Sequence, residues 1–196
     1  AMLEAAGAEP KALGIAADTR DSLDAHLEEA ADADLLLTIG GASVGEHDLV
    51  REALMDTGFA IDFWRIAMRP GKPLMFGTRG DTRVIGLPGN PVSAMICARV
   101  FAFPLIDALL GADTGPERMR QATLDRALEA NGPRKHYMRA RMHFDPDTGA
   151  AKVTALPSQD SALMAALASA DCLIVRAPHA PAARPGDKVE ILPLDF

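Results

Sequence analysis

The sequence predicts an α/β fold, a mostly parallel sheet covered by helices, followed by a small β-barrel-like domain. Three observations carry this. Apolar strand-like runs alternate with helical stretches up to about Gly111, the pattern of a sheet with helices on its faces. Three of the connections in that stretch are bounded by glycine or proline. Beyond Leu110-Gly111-Ala112-Asp113-Thr114-Gly115-Pro116, which has no periodicity and breaks the chain, short strand-like runs take over.

The elements follow in order. Met2 to Ala6 reads as part of a helix and Ala12 to Ala17 as an extended stretch. Ser22 to Ala31 is a helix, Leu35 to Ile39 a buried strand, His47 to Asp56 a helix and Phe59 to Ile66 a strand. Leu74 to Gly77 and Arg83 to Leu87 form a hairpin-like pair joined through Thr78-Arg79-Gly80-Asp81, and a long apolar helix runs from Pro91 to about Leu110. In the second part, strands are expected at Gln121 to Leu128, Tyr137 to Phe144, Ala151 to Leu156, Cys172 to Ala177 and Lys188 to Leu192, with a short helix at Ser161 to Ala168. The expected domains are therefore residues 1–112 and 118–196.

Composition narrows the class. A chain of 196 residues can bury a proper core and hold two small domains. A net charge of −7 argues against nucleic acid or an anionic membrane as partner. No apolar run is expected to reach bilayer-spanning length. Cys97 and Cys172 stand alone, without a CxxC or zinc-type spacing, and read as buried thiols of a reducing, cytoplasmic setting.

Gly86-Leu87-Pro88-Gly89-Asn90-Pro91-Val92-Ser93-Ala94 is the most informative stretch. A strand ends, Gly89 frees the backbone for a tight turn, Asn90 is a favoured N-cap, and Pro91 falls where its missing N–H costs nothing. Such a helix entrance offers free N–H groups and a positive dipole end to an anion; it also serves as a plain, well-capped turn. Upstream, Leu35 to Ile39 runs straight into Gly40-Gly41-Ala42-Ser43-Val44-Gly45-Glu46-His47-Asp48. Glycines at a strand's carboxyl end allow close approach of a ligand, where open α/β sheets place their sites. Arg65 then precedes the proline-bracketed Arg69-Pro70-Gly71-Lys72-Pro73, cations on a stiff loop within an acidic chain, as a small anionic ligand requires. Asp48 and Asp18 are candidate carboxylates. Taken alone, Asp48 is an acidic residue in a helix's first turn and Asp18 a loop or cap residue; together they could hold Mg²⁺, which prefers hard oxygen ligands and bridges to phosphates. His47 and Glu46 carry no role, Arg79-Gly80-Asp81 is a hairpin turn, and Met68, Met75 and Met95 are core filling.

The wording and order of Thr38 to Asp48, Phe63 to Gly77 and Gly86 to Ala94 resemble the molybdopterin molybdotransferases, the MoeA-type enzymes and the related C-terminal domain of gephyrin. The likeness covers roughly Asp18 to Leu110 closely. It covers Arg118 to Phe196 more weakly, through Gln159-Asp160-Ser161 and Pro185 to Ile191. The resemblance implies a molybdopterin-binding-like α/β domain and a C-terminal β-domain. It also implies that the chain is a C-terminal piece of a longer homodimeric protein, inactive alone. The implied reaction inserts molybdate, as substrate, into adenylylated molybdopterin with release of AMP and with Mg²⁺ as cofactor. Asp48 and Asp18 would be catalytic and metal-binding. Gly40, Gly41, Ser43, Gly45, Arg65, Arg69, Lys72, Pro88, Gly89, Asn90, Pro91 and Ser93 would bind substrate. Arg65 and Arg69 stand where the family often has lysine, and Ala42 where it often has valine. The alternatives are a molybdopterin adenylyltransferase, whose loop is Gly-Gly-Thr-Gly rather than Gly-Gly-Ala-Ser-Val-Gly, and a non-catalytic scaffold domain.

Overall fold

The computed structural model describes residues 1–41, 48–112, 119–160 and 163–194. The chain divides into two compact units, Ala1–Ile66 with Gly71–Ala112, and Ala67–Pro70 with Asp113–Phe196.

In the first unit a short α1 (Met2–Ala5) and an extended stretch lead to α2 (Arg20–Glu29), β1 (Leu35–Ile39), α3 (Leu49–Asp56), β2 (Ala60–Phe63), β4 (Met75–Arg79) and β5 (Thr82–Leu87). The sheet order is β1-β5-β4-β2. β1 and β5 are parallel, whereas β5–β4 and β4–β2 are antiparallel. The expected mostly parallel sheet is thus mixed among the described residues. The cause is local: the four-residue connection from Arg79 to Thr82 is a tight turn with Gly80 at φ +55°, and a tight turn can only return antiparallel.

Alternation along the strands sorts the two faces. Met75 and Val84 pack with Leu27 and Ala30 of α2, Leu36, and Ala53 and Leu54 of α3 in one core cluster. Their neighbours Phe76 and Ile85 face the other way and line an apolar groove with Phe63, Leu74, Phe101 and Leu105. Phe101 and Leu105 come from the helical stretch after β5, which comprises α4 (Pro91–Cys97), a π-helical segment (Ala98–Ala102) and α5 (Phe103–Leu109). Pro104 cannot donate a helical hydrogen bond and its ring crowds the carbonyl of Val100; the widened π turn just before it absorbs that misfit. Pro91–Leu109 corrects one expectation. Its 19 residues, at mean hydropathy 1.8, have the length and composition of a membrane-crossing helix, although 56% of that window is buried within the protein.

The second unit contains β3 (Met68–Arg69), β6 (Arg120–Leu124), β7 (Lys135–Phe144), β8 (Ala151–Ala155), α6 (Met164–Ala168), β9 (Cys172–Arg176) and β10 (Lys188–Pro193). The strands run β7-β8-β6-β10-β9, and β9 pairs back onto β7, so the sheet closes into a barrel. Small residues make so narrow a barrel possible: Ala122, Ala140 and Cys172 join Leu124, Val153, Ile174, Val189 and Ile191 inside. β3 is the unexpected element. Ala67–Pro70 lies within the stretch expected to form the first domain, yet Met68 and Arg69 pair in parallel with Lys135 and His136 of β7.

Candidate functional site

In the first unit the site is built at the carboxyl ends of the parallel neighbours β1 and β5. Ile39 pairs with Leu87, and the N–H of Gly40 donates to the Leu87 carbonyl at 3.1 Å. The two glycine turns therefore meet: a Cβ on Gly89 would lie 3.3 Å from the Cα of Gly40. Gly40 and Gly41 take φ of +83° and +71°, a region closed to most L-residues. Glycine at both places lets the two main chains approach this closely, since no side chain stands between them.

A capped helix leaves each turn. Asp48 is buried at 5% exposure and caps α3 by accepting from the Arg51 N–H at 3.0 Å. Asn90 caps α4, its Oδ1 accepting from the Ser93 N–H at 3.2 Å and from the Ser93 hydroxyl at 3.4 Å. Pro91 follows at the first helical position, as expected, and lies exposed, while Pro88 and Ser93 are buried supports. Thr38 adds a feature that the sequence does not reveal, a buried Oγ1 with no hydrogen-bond partner among the described residues. Ser43 and Gly45 lie outside the described residues.

The carboxylates are not gathered as a ready cage. Asp18 is exposed at the end of the extended stretch, and no group of three or more His, Cys, Asp or Glu occurs among the described residues. The available donors are hard oxygens. Cys97 and Cys172 are buried, and burial pushes both thiols up to about 12, so neither serves as nucleophile or soft-metal ligand near neutral pH.

The cationic loop is divided. Arg65 and Lys72 are exposed in the first unit, where the N–H of Ile66 donates to the Lys72 carbonyl at 3.0 Å. Arg69 instead sits on β3 in the second unit, so the expectation that Arg69 and Lys72 share one loop is corrected by strand pairing. Just upstream, the Arg51 guanidinium stacks 4.7 Å from the centroid of the Trp64 ring, tying the first turn of α3 to the residue before Arg65.

Around Arg69 the structure assembles a basic group on β7 and β9. Arg69 pairs with His136 on one edge of β7, and Arg176 of β9 pairs with His136 on the other. His136, Arg139 and Arg176 are buried at 8%, 2% and 5% exposure. Burial first, then the positive charges of Arg69, Arg134, Arg139 and Arg176, lower the His136 imidazole to about 4. It is therefore neutral at pH 7, able to donate or accept a hydrogen bond without adding charge. Arg176 is held by the Glu129 and Ala180 carbonyls at 3.5 Å and by that of Pro181. A period-two reading of β7 detects that His136 shares a face with Met138 and Ala140, but it does not detect the closure that buries Arg139.

Comparison with known proteins agrees with this geometry. Residues 1–108 match the family described as "Probable molybdopterin binding domain", and residues 121–194 match the "MoeA C-terminal region (domain IV)". A molybdopterin molybdenumtransferase of Haemophilus influenzae is 32% identical over 198 residues, covering 99% of this chain and 48% of that protein. One of Nostoc is 34% identical over 150 residues, covering 74% of this chain and 34% of that protein. A solved molybdenum cofactor biosynthesis protein of Pyrococcus furiosus shares the fold at TM-score 0.72 and 22% identity, covering 97% of this chain and 60% of that one. The chain spans about half the length of the Haemophilus relative. By its match over 1–108, continued by the second over 121–194, the chain belongs to the molybdopterin-binding domain family in its MoeA-type arrangement.

Proposed function

We propose that this chain is the part of a molybdotransferase that binds adenylylated molybdopterin and molybdate, for insertion of the metal with release of AMP. The meeting of the Gly40 and Gly89 turns at the ends of β1 and β5 carries the reading, because it places two side-chain-free turns beside two capped helix starts, where open α/β sheets bind ligands. Relatives that match most of this chain bear the name molybdopterin molybdenumtransferase, which favours this reading over adenylyl transfer or a scaffold role.

In this reading Gly40, Gly41, Ser43, Gly45 and the Pro88 to Ser93 turn seat the phosphate and pterin of the substrate. Arg65 and Lys72 hold anionic groups in the first unit. Arg69, beside neutral His136, presents a guanidinium to the molybdate oxyanion in the second. Asp48 and Asp18, whose hard carboxylate oxygens suit Mg²⁺ although they form no cage by themselves, would hold the cation together with substrate phosphate. A Mg²⁺ held there would supply charge neutralisation for the phosphoanhydride. Asp48 is fixed for this by its cap bond to Arg51. A homodimeric longer protein and a cytoplasmic setting belong to the same reading; the buried, unpaired cysteines support the second.

The test is AMP release from adenylylated molybdopterin on addition of molybdate, by this chain and by a protein of the relatives' full length. The expected outcome is turnover by the longer protein and binding without turnover by this chain. Formation of adenylylated molybdopterin from ATP and molybdopterin, with no molybdate-dependent AMP release, overturns the reading in favour of adenylyl transfer.

A further inference from the structure

One open edge of β7 is filled by three different things in succession. At its start, β3 pairs with Lys135 and His136, and the Lys135 N–H donates to the Ala67 carbonyl at 2.9 Å. At its far end, β8 pairs from Ala140 to Phe144. Between them no strand serves Arg139. Its N–H donates to Gln159 Oε1 at 2.9 Å, and its carbonyl accepts from Gln159 Nε2 at 3.0 Å and from the Leu156 N–H at 2.9 Å. The side-chain amide of Gln159 thus exchanges both ladder bonds with Arg139, as a strand residue would. The same Nε2 donates to the Leu156 carbonyl at 3.0 Å, closing the turn on itself.

We infer that Gln159 is a positioning residue for the anion seat: its amide stands in for a missing strand on β7 and fixes the strand that carries Arg69. The inference rests on the proposed role of Arg69. Arg139 lies three residues along β7 from His136, about 10 Å at the usual rise, so whatever holds this edge at Arg139 also sets where β3 lies. Arg139 returns the hold. Its buried guanidinium donates to the carbonyls of Ser158 at 3.4 Å, Asp160 at 2.9 Å and Leu163 at 3.3 Å, so the turn bearing Gln159 is gripped from both sides. A hydrophobic or shorter residue at 159 leaves the Arg139 N–H without a partner in a buried place, and water entering there competes for the edge on which β3 is laid. Leucine has nearly the shape of glutamine and neither polar atom, which makes Gln159→Leu the discriminating change. Gln159→Glu keeps an acceptor for the Arg139 N–H and loses the donor.

The experiment uses this chain with molybdate as probe and sulfate as control anion. It compares wild type, Gln159→Leu, Gln159→Glu, Arg139→Lys and Arg69→Ala by isothermal titration, thermal unfolding, and NMR titration of the His136 ring. The expected result is a molybdate affinity about tenfold weaker in Gln159→Leu, partly restored in Gln159→Glu, with His136 titrating nearer its ordinary value as Arg69 moves away. Arg139→Lys, which keeps the charge and loses the fork, gives a smaller shift in the same direction. A Gln159→Leu chain that melts earlier yet binds molybdate and titrates His136 as wild type overturns the inference, since Gln159 then only stabilises. If Arg69→Ala also binds molybdate unchanged, the anion-seat reading itself fails. If Arg69→Ala weakens binding and Gln159→Leu does not, only the role of Gln159 is lost.

Discussion

Replacing Gly41 with alanine tests the geometry of the glycine turn with one methyl group. The backbone at Gly41 has φ +71°, and an added Cβ would overlap Val50 Cγ2 and lie 3.3 Å from Val50 Cβ. Left-handed backbone costs a residue with a Cβ roughly 1–2 kcal/mol. Relieving the overlap moves Val50, on the first turn of α3, at about 1–3 kcal/mol as overpacking. Gly41→Ala should therefore destabilise the first unit by about 2–5 kcal/mol. Val50→Ala opens space, so in its background the same change should cost only the backbone share, about 1–2 kcal/mol. Trp64, the chain's single tryptophan, lies in this unit and reports its urea unfolding by fluorescence. A Gly41→Ala chain within about 0.5 kcal/mol of wild type, or a cost unchanged by Val50→Ala, would refute the reasoning.

Three further outcomes follow from the same structure. His136 has a folded value of about 4 against an ordinary 6.5, so the unfolded chain binds its proton first as pH falls. Stability is then full above pH 6.5 and declines toward pH 4, by about 3 kcal/mol at most. Urea unfolding at pH 7.5 and 5 should show that slope in wild type and its loss in His136→Gln. Asp48→Asn keeps a capping oxygen and loses the charge, whereas Asp48→Ala loses both. Circular dichroism melts should place only the alanine variant about 1 kcal/mol lower, while AMP release by the full-length protein should fail in both. Asn90→Ala removes the acceptor for Ser93 and should cost about 1 kcal/mol by urea unfolding; retention of wild-type stability would mean that the cap contributes nothing.

Local chemistry was legible where the rule is local. The apolar run Leu35 to Ile39 predicts a strand and the capping pattern at Asn90-Pro91 a helix entrance, and the structure shows both. The closed β-barrel was legible as a class, since short strands bounded by turn residues leave few other architectures. What failed depended on partners distant in sequence. Arg69 looks like a loop residue because its two-residue strand is defined only by pairing with Lys135 and His136, 66 or more positions later. Arg139 and His136 look like solvated edge residues because the cover that buries them comes from β9 and, for Arg139, from the carbonyls of Ser158, Asp160 and Leu163. Pro104 inside an apolar periodic run signals a misfit, but periodicity gives no sign that the answer is a π turn rather than a break.

In the proposed function the turns after β1 and β5, with Asp48 at their side, seat adenylylated molybdopterin. The direct test is isothermal titration of this chain with that compound, with and without Mg²⁺, against an Asp48→Ala, Lys72→Ala double variant of the first unit. Saturable binding by the wild-type chain, strengthened by Mg²⁺ and lost in the double variant, is the expected result. Equal binding by a folded double variant, or none by a folded wild-type chain, would contradict it.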